Sequence, residues 1–237
     1  MTGDVACKSS GSGPAGRRGR ALANLGPVAQ LKAGRLPRRL FQLAVGLALY
    51  GITLAMMIRA MLGNAPWDVL HQGMAIHLPI SIGTAVVVMS LVVLALWIPL
   101  RELPGLGTVA NSFAVGLTAD VALSVMDAPD AIWGRSLLMV GGIVLNALAT
   151  ALYIGSQLGP GPRDGLMTGL HRRTGVSIRV VRTGIEAFVV AVGWLLGGVV
   201  GIGTVLYAVA IGPLVQLMLP PCIVELEVPA DANESAN

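Results

Sequence analysis

Long apolar runs separated by short polar segments follow one another along most of the chain. Residues 40–60, 80–100, 105–126 and 136–157 each reach the length of about 20 mostly apolar residues that a membrane-crossing helix needs. Residues 177–219 are too long for one crossing, and Gly197, Gly198 and Gly201 predict a turn within them. The pattern predicts an all-α polytopic membrane protein with about six transmembrane helices.

Two further segments are helical in pattern and too short to cross a bilayer. Residues 66–78 and 162–173 each begin with a proline, a residue that suits the first turn of a helix. Each segment follows the first span of its half of the chain. We predict a short helix at each place, either interfacial or re-entrant.

An internal repeat appears when the sequence is shifted by 96 residues against itself, with no gap. The matches that carry it are polar residues, glycines and prolines, which composition alone does not supply: Gly46 with Gly142, Pro66 with Pro162, Asp68 with Asp164, Ser81 with Ser177, and Gly105 with Gly201. Each copy holds three spans, so the second copy must cross the membrane in the opposite sense. This predicts two inverted three-helix repeats.

The repeat divides the chain into a basic leader (1–39), repeat 1 (40–126), a loop (127–135), repeat 2 (136–220) and an acidic tail (221–237). The leader holds eight of the 16 Lys and Arg residues and no periodic apolar pattern, which predicts a disordered segment. Placing the leader inside also places most loop arginines inside, as the positive-inside rule requires: Arg101, Arg163, Arg172, Arg173 and Arg179. We therefore predict a bacterial inner-membrane protein with both termini cytoplasmic.

Composition supports a lipid environment. The 237 residues are 54% hydrophobic and 12% charged, and the mean hydropathy is +0.76, so the chain has too little polar surface for a water-soluble globule. The net charge of +4 is not gathered on a folded domain, which argues against a nucleic-acid partner. Cys7 and Cys222 lie far apart, and their spacing suggests neither a metal site nor a disulfide framework. We expect no cofactor.

A paired motif, L-G-x-x-P-x-D, opens both short helices. Its residues are Leu62, Gly63, Pro66 and Asp68 in the first copy and Leu158, Gly159, Pro162 and Asp164 in the second. An aspartate in the first turn can accept hydrogen bonds from free backbone N–H groups, so helix capping is one interpretation. The other is that the two aspartates are gate or ligand residues of a solute or ion site near the middle of the membrane.

Other polar side chains fall inside apolar segments. Arg182 and Glu186 are four residues apart and share a helix face, which predicts either a structural ion pair or a site for proton or cation coupling. Asp120 and Gln216 occupy equivalent positions in the two copies and predict either interhelical hydrogen bonds or pathway residues. Four more residues could line a central path or serve only in packing: Tyr50, Asn111, Asn146 and Tyr207.

Over about residues 40–220, the chain resembles the uncharacterised bacterial membrane proteins of the YczE/YitT type. The resemblance rests on residues 62–68 and 81–84, on residues 158–166, and on Ser177, Arg182 and Glu186. It implies an integral membrane protein of unassigned activity.

Two functions remain open at this point. The predicted inverted repeat, the two short helices and Glu186 favour a secondary transporter or permease for a small solute or ion. The alternative is a non-transporting accessory or scaffold protein that binds a cytosolic partner through its basic loop. No metalloprotease, nucleophile-elbow or Walker motif is found, so we do not expect an enzyme.

Overall fold

The computed structural model describes residues 26–226, and this part of the chain forms helices and no strands. The helices are α1 Pro27–Lys32, α2 Leu36–Ala60, α3 Pro66–His77, α4 Ile82–Leu100, α5 Leu106–Val125, α6 Ile132–Gly155, α7 Pro162–Thr174, α8 Ile178–Leu195 and α9 Ile202–Cys222. The predicted spans and both short helices agree with these bounds to within a few residues, except that α2 begins at Leu36 and α6 at Ile132.

Five of these helices are long and apolar enough to cross a membrane: α2, α4, α5, α6 and α9. Helix α8 has 18 residues and carries Arg179, Arg182 and Glu186, so length and composition alone do not class it with the other five. Helices α3 and α7, with 12 and 13 residues, are too short. The protein is therefore all-α with several membrane-crossing helices.

Serine side chains begin the two helices that follow the short ones. Ser81 accepts a hydrogen bond from the Thr84 backbone N–H at the start of α4, and Ser177 accepts one from Val180 at the start of α8. Each cap satisfies a backbone donor that the first turn of a helix leaves free. The two serines lie 96 residues apart, the offset of the predicted repeat, and a serine begins a helix at both places.

Helices α2 and α6 pack against each other, and each also packs against the last helix of its own half, α5 and α9 respectively. Leu47, Leu54 and Val115 belong to one apolar cluster between α2, α5 and α6. Met57, Ile143 and Ile211 belong to a second cluster between α2, α6 and α9. Burial of these side chains holds the four long helices together.

The short helices pack across the two halves of the chain. Helix α3 packs against α8, and α7 packs against α4. Gly193 of α8 lies against the backbone of Leu70, where an added Cβ would be 2.5 Å from the Leu70 nitrogen, and Gly165 of α7 lies against the Trp97 ring. At each contact, a glycine on one of the two helices therefore allows the helices to approach closely.

The outer faces of the long helices are apolar. Phe113, Leu117 and Val121 of α5 are exposed, as are Phe188 and Leu195 of α8. Such a surface is stable against lipid chains and unstable against water. The exposed side chains therefore place the helix bundle in a lipid bilayer.

The end of the predicted leader differs from the prediction. Residues 1–25 lie outside the described part, as does the end of the predicted acidic tail, residues 227–237. Within the range 26–39, however, the chain forms α1 and the first turn of α2, and Arg39 is fully buried. Sequence reasoning grouped this arginine with the other leader charges because its burial depends on carbonyls that lie more than 100 residues away in sequence.

Candidate functional site

The first half of the L-G-x-x-P-x-D motif is structural. Gly63 and Gly159 have φ angles of +113° and +122°, in the region that favours glycine. The Leu62 carbonyl accepts a hydrogen bond from the Gly203 N–H at 2.9 Å, and the Leu158 carbonyl accepts one from Gly107 at 2.7 Å. Each motif thus docks on the first turn of α9 or α5, and this docking fixes where α3 and α7 begin.

The first turns of α3 and α7 meet at the centre of the bundle. The Arg163 guanidinium carbon lies 5.4 Å from the centroid of the Trp67 ring and 5.8 Å from that of Tyr50, both within cation–π range. Trp67 and Arg163 occupy the same position in the two copies of the motif, 96 residues apart. Residues at matching positions therefore stack on each other.

A cavity of about 230 Å³ lies around this stack. Its polar and aromatic lining comes from α2, α3, α5, α6, α7, α8 and α9: Tyr50, Trp67, Asn111, Tyr153, Arg163, Asp164, Arg182, Glu186, Tyr207 and Gln216. Ligand sites in helix bundles are commonly built in this way, from a mostly apolar scaffold with a few convergent polar groups. We take this cavity as the candidate functional site.

Arg163 carries hydrogen-bond donors that the described residues leave unused. Its guanidinium makes the two ring contacts with Trp67 and Tyr50, and it donates no hydrogen bond to any residue of the described range 26–226. A guanidinium has five N–H donors. Trp67 adds a second donor, because its Nε1 is buried and has no hydrogen-bond partner within the same range.

The two motif aspartates are held by side chains. The Tyr153 hydroxyl donates to Asp164 Oδ2, and Asp68 Oδ1 lies 3.2 Å from His71 Nδ1. Neither carboxylate accepts a backbone N–H from residues 26–226, so these contacts do not support the capping interpretation. Asp164 lines the cavity, whereas Asp68 is buried beside it, with 2% of its surface exposed.

His71 is a buried neighbour of Asp68 on α3, outside the long helices. Burial lowers the pKa of His71 below its usual value, although the hydrogen bond to Asp68 partly opposes this shift. A histidine with a lowered pKa is neutral at pH 7. The Asp68 charge is therefore not cancelled by an imidazolium ion.

Arg182 and Glu186 form the predicted ion pair, with 2.8 Å between Arg182 Nε and Glu186 Oε1. Both residues line the cavity, as does Gln216. The structure thus brings together four of the predicted pathway residues: Asp164, Arg182, Glu186 and Gln216.

Asp120 has a different place. Its carboxylate accepts a hydrogen bond from the Gly83 backbone N–H at 2.8 Å and another from the Ser81 hydroxyl. Asp120 of α5 therefore stabilises the start of the neighbouring helix α4. Of the two roles predicted for Asp120, this is the interhelical hydrogen bond. It does not line the central cavity.

The other predicted polar residues divide in the same way. Tyr50, Asn111 and Tyr207 line the cavity. Asn146 is fully buried between helices, donates to Thr53 Oγ1 at 2.9 Å and accepts from the Tyr207 hydroxyl at 3.1 Å. It is a packing contact that holds one wall of the cavity in position.

Sequence reasoning missed Arg163, Trp67 and Tyr153 as site residues. Arg163 was grouped with the loop arginines that orient the chain, and Tyr153 looked like one more residue of an apolar span. A signal was present for the first two, since Trp67 and Arg163 share the variable position of the motif between its proline and its aspartate. No group of three or more metal-ligating side chains occurs within residues 26–226.

These features define a polytopic α-helical membrane protein with a charged central cavity. The model of a family of unknown function, DUF6198, matches residues 37–220, and the chain belongs to that family.

Similar proteins are known from two bacteria. An uncharacterised protein of Haemophilus influenzae is 41% identical over 177 residues, which cover 75% of this chain and 81% of that protein. The uncharacterised membrane protein YczE of Bacillus subtilis is 29% identical over 175 residues, 73% of this chain and 81% of YczE. This similarity confirms the YczE-type resemblance. No solved structure shows significant similarity to this chain.

Proposed function

We propose that this protein is a secondary transporter or permease for a small solute or ion, with the central cavity as its binding site. The observation that carries the proposal is the stack of Arg163 on Trp67 and Tyr50 in a cavity that also contains Asp164, Arg182 and Glu186. Charged side chains are costly inside a bilayer, and those that occur there commonly mark solute or ion pathways. No catalytic step belongs to this proposal.

Several contacts support two inverted three-helix repeats. Helix α2 packs on its sequence-equivalent α6, the α3–α8 contact is matched by α7–α4, and the equivalent residues Trp67 and Arg163 stack. Equivalent residues meet in this way near a pseudo-twofold axis. An axis in the membrane plane, with a site on it near the midplane, is the arrangement of many secondary transporters.

The proposal treats α8 as the sixth span. Arg182 and Glu186 line the cavity and pair with each other, which reduces the cost of placing them in the membrane. Six spans leave both termini on the same side. The basic leader then puts that side in the cytoplasm of a bacterial cell, with the inner membrane as the location.

Accessibility labelling tests the inverted topology. Leu78 and Thr174 are exposed, lie 96 residues apart and stand at the C-terminal ends of α3 and α7. Cys7 and Cys222 are replaced by serine, and one cysteine is introduced in each of two variants, Leu78→Cys and Thr174→Cys. A membrane-impermeant maleimide should label position 78 in intact cells and position 174 only in inverted vesicles. Labelling of both positions from one side would exclude the inverted repeat.

Transport itself is tested with the purified chain in lipid vesicles, using a solute screen under proton and sodium gradients. The variant Glu186→Gln removes a cavity carboxylate, and we expect it to reduce uptake of a transported solute severalfold. Asp130→Asn is the matched control, because Asp130 is exposed on the loop between α5 and α6. A wild-type protein that moves no solute above empty vesicles would rule out the transporter proposal.

The scaffold alternative receives less support from the structure. It relies on Arg172 and Arg173 as a basic surface for a cytosolic partner. Arg172 instead pairs with Glu102, and Arg173 donates to the Pro99 carbonyl. Both arginines thus hold the end of α7 against the turn between α4 and α5.

A further inference from the structure

We infer that the cavity recognises a carboxylate group on its solute, and that Arg163 is the residue that binds it. This inference rests on the proposed function for the transport step, whereas the binding step stands on the geometry of the cavity alone. It names the chemical class of the solute, which the proposed function leaves open.

Arg163 is the cavity arginine whose N–H donors have no acceptor within residues 26–226. The other cavity arginine, Arg182, already donates from Nε to Glu186. Arg163 contacts the rings of Trp67 and Tyr50, and the Asp68 and Asp164 carboxylates attract its charge, but it has no hydrogen bond or ion pair with residues 26–226. Donors left unsatisfied on a charged group are costly to bury, so an acceptor that reaches them is favoured.

The chemistry of Arg163 favours a planar acceptor. Its guanidinium carbon lies over the Trp67 and Tyr50 rings, 5.4 and 5.8 Å from their centroids, so two aromatic side chains hold the cation in the cavity. The N–H groups of a guanidinium form a planar fork. A carboxylate matches this fork with two parallel hydrogen bonds, the strongest geometry available to arginine.

The acids of the cavity do not fill this role. Glu186 is paired with Arg182, and Asp164 accepts from Tyr153. Neither makes an ion pair with Arg163. The N–H fork of Arg163 is therefore left for an acceptor that residues 26–226 do not supply.

The charges lining the cavity also restrict the solute. Arg163 and Arg182 face Asp164 and Glu186 in the lining, and the buried Asp68 carboxylate lies beside it, so a bare carboxylate would add to an excess of negative charge in a partly buried site. The excess is avoided when the solute carries its own ammonium group, or when a proton enters with a simple acid. The carboxylate is common to both cases, and the test separates them.

Binding is measured on the purified full chain in detergent micelles, without transport, by tryptophan fluorescence and by the shift in Tm. The probes are lactate, succinate, alanine and glutamate, each with an amide counterpart in which no carboxylate remains: lactamide, succinamide, alaninamide and glutamic acid diamide. We expect at least one carboxylate to bind, with the matching amide at least tenfold weaker. Stronger binding as the pH of the solution is lowered would identify the simple acid with a proton, and binding that does not change with pH would identify the amino acid.

The variant Arg163→Lys keeps the charge and loses the fork, and we expect it to weaken carboxylate binding about tenfold or more, a change of about 1.4 kcal/mol. Arg172→Lys is the matched control, because Arg172 is on the same helix, outside the cavity, and exposed. It should bind carboxylates as the wild type does. The Tm without solute verifies that both variants fold.

Three outcomes would overturn the inference: no carboxylate binds, amides bind equally well, or Arg163→Lys binds with unchanged affinity. These outcomes are separate from a failure of the proposed function. A carboxylate that binds through Arg163 and is never moved across vesicles contradicts the transport proposal alone. Uptake of cations or uncharged solutes that is equal in wild type and Arg163→Lys contradicts the carboxylate inference alone.

Discussion

Gly63→Ala is expected to prevent recovery of a stably folded protein. The Gly63 φ angle of +113° lies outside the regions open to residues with a Cβ, and such strain costs about 1–3 kcal/mol by itself. The added Cβ would also lie 2.5 Å from the Gly201 nitrogen and 2.9 Å from its Cα. Both are backbone atoms at the start of α9, so the clash cannot be relieved by a side-chain rotation.

The loss would reach beyond the turn, because the Leu62 carbonyl next to Gly63 accepts the hydrogen bond from Gly203. Size-exclusion profiles of detergent extracts before and after heating report the folded fraction. Gly184→Ala is the matched control, since a Cβ at Gly184 meets nothing within 4 Å and alanine favours a helix. Equal melting temperatures for Gly63→Ala and wild type would show that the turn tolerates a side chain.

Arg39→Met is expected to be the second most damaging change. Arg39 is fully buried and donates to the carbonyls of Ser156 at 2.8 Å, Gln157 at 2.7 Å and Gln30 at 2.5 Å. The first two carbonyls follow the end of α6, where the last carbonyls of a helix have no partner within it. A cation there also interacts favourably with the negative end of the helix dipole.

Methionine preserves much of the length and apolar volume of Arg39 and removes all of its donors. A hydrogen bond to a charged group contributes about 1.5–3 kcal/mol, so losing the three that Arg39 donates should cost several kilocalories per mole of stability. Thermal unfolding of the purified protein measures this. Arg38→Met is the control, because the neighbouring arginine is exposed; if the two variants melted together, the buried hydrogen bonds of Arg39 would contribute little.

The sequence was sufficient for features that repeat or that depend on local chain properties. Long apolar runs identified the membrane-crossing helices, and proline followed by aspartate identified the starts of α3 and α7. The same offset of 96 residues predicted that Ser81 and Ser177 mark equivalent places. Each of these depends on residues close together in sequence, so periodicity and turn chemistry were enough.

The parts that could not be predicted depend on contacts between distant segments. Arg39 has the same residue type as the loop arginines, and nothing beside it in sequence distinguishes a buried guanidinium from a solvated one. For Arg163 the one signal was its place in the paired motif, which does not show that it contacts Trp67. Asp68 looked like a capping residue, because its interaction with His71 depends on a buried environment that other helices create. Arg182 and Glu186 were paired correctly because both partners lie on one helix.

The crossed packing of the short helices has a consequence for biosynthesis. Helix α3 begins at residue 66, but its packing partner α8 begins at residue 178, so the ribosome must add more than 100 residues before that contact exists. Helix α4 likewise cannot pack against α7 until Pro162–Thr174 has been synthesised. The first half of the chain therefore enters the membrane with one face of α3 and one face of α4 uncovered, and only synthesis of the second half completes both. A chain truncated after α5 would expose those faces to the quality-control proteases of the membrane.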